Sequence, residues 1–258
     1  MIRGIHFRIA GEPIRASGQR EPLGSVSRVS SRLLGIAIAI ATSAVVALAP
    51  GAGAVPEANA TLRAAHPPKP RIHSRPIPFG PQRKRQMAAY SQRHYGERTW
   101  RLRRPRAIVE HVAVAGTADA VFNAFAPNRP DPELGELPNV CAHFVVSSSG
   151  RIFRLVNLRT RCRHTVGLNW TAIGIEHTGY RDGDVLGNRR QLRASLRLTR
   201  WLRCRFRIRV RNVIGHAESL RSPYHRERVR HLRDQTHGDW RHASMRVYRQ
   251  KLRRLGRC

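Results

Sequence analysis

With 48 Lys+Arg against 16 Asp+Glu, the 258-residue chain carries a formal charge of +32. This excess draws polyanions by long-range field and counterion release, but it does not choose between nucleic acid, anionic lipid and anionic wall polymers. Aromatic residues at 6% are too sparse for a base-stacking surface, and no nucleic-acid motif is present, which weighs against a specific nucleic-acid partner. The first hundred residues differ in character from the rest, so the length is read as one globular domain rather than two.

In chain order, Leu33–Pro50 is an apolar run with Arg28 and Arg32 before it and the small residues Ala58-Asn59-Ala60 after it. A basic flank, an apolar segment and an A-x-A-like site make residues 1–60 a secretory signal peptide or an N-terminal membrane segment, the run approaching the roughly 18 apolar residues that could span a bilayer. Export is therefore expected, with any membrane contact confined to this segment. Residues 61–104, centred on PPKPRIHSRPIPFGPQRKR, have too little apolar area to offset their conformational entropy and read as a basic, extended linker suited to lying along an anionic wall polymer. The folded domain is placed at 105–258.

Within it, Ala107–Val114 reads as a buried strand and Thr117–Phe125 as a short helix capped by Thr117. Cys141–Val146, a polar turn through Gly150 and Arg151–Val156 form a predicted hairpin, and Ala172–His177 a further strand. Leu192, Leu196, Thr199 and Leu202 at helical spacing place a helix over Asn188–Phe206. A short strand follows at Arg211–Ile214, then helices at about Tyr224–Leu232 and Ala243–Leu255. This alternation predicts an α/β fold, a mixed central sheet with helices packed on it. Cys141, Cys162, Cys204 and Cys258 are free to pair in an oxidising compartment. Cys141 and Cys162 bracket the hairpin, and a disulfide between them competes with buried free thiols.

Three polar residues fall at predicted strand ends or beside a cleft: His111, Glu176 and His216. A catalytic metal site needs about three protein ligands and one open position; the two histidines supply two imidazoles and leave a third ligand to be found. Asn212-Val-Ile-Gly-His-Ala-Glu218, followed by Thr236-His-Gly-Asp-Trp240, resembles the closing half of the zinc site in the type 2 N-acetylmuramoyl-L-alanine amidase family, which includes phage amidases and animal peptidoglycan recognition proteins. Ile108-Val-Glu-His111 is similar to that family's first-strand histidine, Cys141–Val156 to its central hairpin, Arg163-His-Thr-Val-Gly167 to its histidine-glycine step and Ile173-Gly-Ile-Glu176 to its acidic strand.

The resemblance implies a single amidase domain that binds Zn2+ through His111, His216 and Asp239. It implies Glu176 as general base or water-orienting group, and His237 as the residue that stabilises the oxyanion or protonates the leaving amine. His237 is itself a good ligand, so its exchange with Asp239 stays open. The implied substrate is peptidoglycan, acted on by a secreted, wall-associated monomer. Glu110 and Val112-Ala113 depart from the family pattern. His225 and His231 are spare candidates better read as structural or surface residues, His143 as a core residue and His164 as lining the substrate groove. Asn169 and Trp170 could touch sugar or peptide. Two other readings remain: an inactive peptidoglycan-binding module of the same fold, and a basic nucleic-acid-binding protein.

Overall fold

The computed structural model describes residues 67–258; the apolar run Leu33–Pro50 lies outside them. Six strands form one sheet in the order β1-β4-β3-β5-β2-β6. They are β1 (Ile72–Ser74), β2 (Ala107–Val112), β3 (Phe144–Val146), β4 (Ile152–Arg154), β5 (Ala172–His177) and β6 (Val213–Gly215). Only the β3–β4 hairpin pairs antiparallel; the other four pairings are parallel. Parallel strands are covered on both faces and read as continuous apolar runs, and every residue of β2 and β5 is buried.

Strand alternation assigns the two faces. Ile108, Val112, Ile173 and Ile175 share one core with Leu192, Leu198 and Leu202 of α4 (Arg189–Phe206) and Met245, Tyr248 and Leu252 of α5 (His242–Arg254). Each fully buried leucine there contributes about 1.5–3 kcal/mol. Asn188 caps α4 by accepting the N–H groups of Arg190 and Gln191. On the opposite face lie Val109, Ala107 and Ala172. Thr117 caps α2 (Ala118–Phe125) by accepting the Ala120 N–H. Disulfides join Cys141 to Cys162 across the hairpin region and Cys204 of α4 to Cys258.

Two expectations are corrected. Residues 67–104 are not a linker: β1 pairs with β4, and α1 (Pro81–Tyr95) buries Met87, Tyr90 and Tyr95. Arg83, 2% exposed, directs its guanidinium at five carbonyls, those of Pro78, Phe125, Ala126, Asn139 and Val140. The entropy cost that argued for a linker is offset by partners distant in sequence, which composition does not reveal. The helix expected over Tyr224–Leu232 shrinks to one 3-10 turn, Arg230–Leu232. The N–H groups of Arg226 and Arg228 bond instead to the carbonyls of Gly167 and His94, holding that segment extended against the domain. Among the described residues no helix is long and apolar enough to cross a membrane.

Candidate functional site

The carboxyl ends of β2, β5 and β6 lie side by side, the place where open parallel sheets hold ligands. In register His111 pairs with Glu176 across β2 and β5, and Glu110 with Gly215 across β2 and β6, so His216 emerges one step beyond. The sheet therefore brings together residues 105 positions apart in sequence, His111 and His216, with ring centroids separated by 4.6 Å. Asp239 arrives from the segment after the 3-10 turns. Its Oδ2 lies 3.7 Å from His111 Nδ1 and its Oδ1 3.4 Å from His216 Nδ1. One donor atom from each of the three residues falls within 4.8 Å of the others, the one group of this kind among the described residues.

Asp239 is fixed through the backbone. The Val112 N–H donates to its Oδ2, and its own carbonyl accepts the Ala217 N–H. The next residue, Trp240, has φ of 51°, a left-handed conformation uncommon away from glycine. Its N–H donates to Asp182 Oδ1, and its ring is wholly buried beside His177 and Tyr248.

Two neighbours fix the His111 ring. Its Nε2 faces His164 Nδ1 at 3.2 Å and Thr165 Oγ1 at 3.3 Å, leaving Nδ1 turned toward Asp239. His164 fits because residue 174 is glycine: a Cβ there would stand 2.6 Å from the His164 ring. Burial, followed by the neighbouring imidazoles of His216 and His164, holds His111 well below the usual histidine range. A neutral, oriented imidazole is the form that ligates a metal.

Glu176 is 8% exposed, and its Oε2 has no hydrogen-bond partner. Burial, reinforced by the charge of Asp239, pushes its carboxyl up to about 8. His237 stacks on His216 with centroids 4.6 Å apart and turns its Nε2 to the Glu133 carboxylate at 2.9 and 3.0 Å. That hydrogen bond raises the His237 pKa above its ordinary value. Glu133 was not found from the sequence, since it lies in a proline-containing loop about a hundred positions before its partner and no local pattern marks it. The five predicted site residues line one cleft of about 300 Å³, together with Thr165, His164, Asn169 and an apolar wall that includes Val114, Val121 and Phe125.

Other candidates fall elsewhere. His143 is a core residue, bonded to the Thr160 carbonyl and accepting the Gly174 N–H. His225 lies against Gly167, outside the three-donor group, and His231 is exposed. Trp170 donates its indole N–H to the Tyr224 carbonyl and is absent from the cleft lining. Glu110 points to the helix side of the sheet, where it accepts from Thr199 and approaches His177; burial pushes its carboxyl up to about 8.

Two imidazoles and a carboxylate facing one point, with an unpartnered carboxylate and a protonatable imidazole beside them, form a donor set fitted to a divalent metal and to hydrolysis. The chain belongs to the N-acetylmuramoyl-L-alanine amidase family, whose model matches residues 101–232. Its activity is accordingly that of a peptidoglycan amidase.

Among solved structures, an endolysin N-acetylmuramoyl-L-alanine amidase from Clostridium intestinale is 16% identical, the match covering 72% of this chain and 97% of that one with a TM-score of 0.46. A mutant endolysin from Bacillus subtilis is 20% identical over 70% of this chain and 98% of its own, at a TM-score of 0.43. The E. coli amidase AmiD, solved with an anhydro-N-acetylmuramic acid peptide substrate, is 20% identical over 45% of this chain and 49% of its own, at a TM-score of 0.36. No curated protein sequence matches the chain.

Proposed function

We propose that the chain is a zinc-dependent enzyme that hydrolyses the amide joining N-acetylmuramic acid to L-alanine, with His111, His216 and Asp239 holding the metal. The observation that carries this reading is the convergence of those three donors beside the unpartnered Glu176 carboxylate. Asp239 rather than His237 is favoured as third ligand. Its carboxylate faces both imidazoles, whereas the His237 Nε2 is engaged by Glu133.

When bound, zinc polarises a carbonyl oxygen and lowers the pKa of water to about 7. Glu176 takes one proton from the attacking water, whose oxygen bonds to the amide carbon. His237, whose pKa the Glu133 carboxylate raises, stacks on His216 and stabilises the oxyanion that develops. As the C–N bond breaks, the proton taken up by Glu176 passes to the alanine nitrogen, so that a carboxylic acid and a free amine leave. Thr165 and His164 hold the His111 ring during these steps, and the apolar wall of the cleft limits water around the bond. General acid-base assistance of this kind is worth about 10²–10⁴-fold.

The N-terminal segment supports secretion to the wall, where peptidoglycan is available. An inactive binding module is the second reading, and the presence of the complete set of reactive groups favours catalysis over it. The test combines metal analysis with mass spectrometry of digested peptidoglycan. Stem peptides with new alanine amino termini should appear with bound zinc and vanish after chelation or in His216→Ala and Asp239→Ala. Undiminished release after exhaustive chelation would refute the metal role, and sacculus binding with no new amino termini would favour the binding module.

A further inference from the structure

Away from the cleft, at the amino end of β2, two clefts share a wall. One, of about 570 Å³, is lined by Arg103, Arg104, Arg106, Arg205 and Arg207 with Pro105 and Phe206. The other, of about 540 Å³, shares Arg103, Arg104 and Arg106 and adds Arg161, Glu97, Thr99 and Trp170. Arg103, Arg104, Arg106, Arg205 and Arg207 are exposed and form no ion pair among the described residues. The one carboxylate present, Glu97, is already engaged by Arg161 and Arg226. Arg161 is 4% exposed, and its Nε and Nη1 have no hydrogen-bond partner. A buried guanidinium with two unsatisfied donors at the wall of a cationic cleft is a built feature rather than a solvated charge, because unpaired buried donors cost about 1–3 kcal/mol or more. The Arg106 N–H, bonded to the Thr171 carbonyl, ties the arginine segment to the start of β5.

We propose that these two clefts are one binding site for an extended phosphodiester polymer without bases. Several adjacent guanidiniums lacking acidic partners call for a ligand with repeated anions, and each fork can take a phosphate through two hydrogen bonds. Continuity through the three shared arginines suits an extended chain rather than a single ion. Bases have no free ring to stack on. Arg106 and Arg226 lie over Trp170 at 4.8 and 4.2 Å, Arg106 also lies over Tyr224, and Arg205 over Phe206. Arg106 directly precedes β2 and His111 is five residues further on, roughly 16 Å at strand rise, so a bound polymer leaves the hydrolytic cleft open. The site would hold the protein on an anionic polymer while that cleft works on another.

The test measures binding of the intact chain to poly(glycerol phosphate) over a salt series, with polyglutamate and oligothymidylate of equal charge as comparisons. The triple variant Arg103→Ser, Arg104→Ser, Arg205→Ser should reduce the slope of log affinity against log salt by about 2, and affinity by about 10-fold or more. Arg189→Ser, Arg190→Ser, Arg193→Ser removes the same charge at the far end of α4 and should have less than about a twofold effect. Both variants should still hydrolyse a soluble muramoyl peptide. Equal losses in the two triples would overturn the site in favour of diffuse charge. Polyglutamate binding as tightly as the phosphate polymer would overturn the phosphate assignment, and tighter oligothymidylate binding with the same loss would assign the site to nucleic acid instead. Binding is read directly, so the outcome is independent of whether the hydrolytic proposal holds.

Discussion

Alanine at position 215 would place a methyl group 1.9 Å from the Trp240 carbonyl oxygen, 2.6 Å from its Cβ and 2.8 Å from its carbonyl carbon. These are backbone and near-backbone atoms, so no side chain can swing aside. Gly215 has an ordinary φ of −83°; glycine is required by the close approach of the segment that carries Asp239, not by its own conformation. Restoring even the shortest tolerable separation moves Trp240 by about 1 Å relative to β6, and Asp239 is adjacent to Trp240 while His216 is adjacent to Gly215. Overpacking of this kind costs about 1–3 kcal/mol, roughly 2–4 °C in Tm per kcal/mol for a domain of this size. A misplacement near 1 Å costs about 10²-fold in rate. Gly215→Ala should therefore remain folded with weakened metal retention and kcat/KM down by about two orders of magnitude. Gly238→Ala, where a Cβ meets nothing within 4 Å, is the matched control beside Asp239 and should behave as wild type. Measurement of zinc content, Tm and muramoyl-peptide hydrolysis decides it; unchanged metal content and rate in Gly215→Ala would refute the reasoning.

Glu176→Gln should retain the metal and lose about 10²–10⁴-fold in kcat, which a zinc assay run beside the activity assay distinguishes from loss of the site. Glu133→Gln should lower the pH at which the His237-dependent limb of kcat falls, since the hydrogen bond that His237 donates to the Glu133 carboxylate is what raises the His237 pKa; an unmoved pH profile would remove Glu133 from the mechanism. In chelated protein, Glu110 and Glu176 keep protons to about pH 8 in the fold against an ordinary 4.5. The folded state then binds more protons, so stability is greatest below about 4.5 and declines as pH rises toward 8; Glu110→Gln should flatten the dependence of Tm on pH. Arg83→Met should destabilise by about 3 kcal/mol or more, because five carbonyls lose their buried donor, and deletion through residue 104 should prevent folding, as judged by circular dichroism and thermal melts.

What was legible in the chain follows from where the controlling contacts lie. α4 was readable because its cap, its periodic leucines and its length are local. His111, Glu176, His216 and Asp239 could be singled out because several motifs occur in order, although none specifies the strand register that brings them together. α1 carries no apolar signature in the sequence because its buried positions include Arg83 and His94, and His94 is accommodated by Glu136 and Glu227 from distant loops. The segment after Tyr224 looked helical for the converse reason: its polar pattern fits a helix, yet its N–H groups find carbonyls on other elements. Glu110, an apparent departure beside His111, accepts from the Thr199 hydroxyl on the helix side, and Thr199 is linked in turn through Tyr248 to Ser195.

The aspartate that closes the site is clamped at the peptide that follows it, where its carbonyl accepts from Ala217 and the N–H groups of Trp240 and Arg241 donate to Asp182, and at its carboxylate, which accepts from Val112. The long excursion from His216 to Asp239 therefore does not set the position of the residue at its far end. Changes of length before Thr236 can accumulate without moving the carboxylate, provided His237 keeps its place on His216.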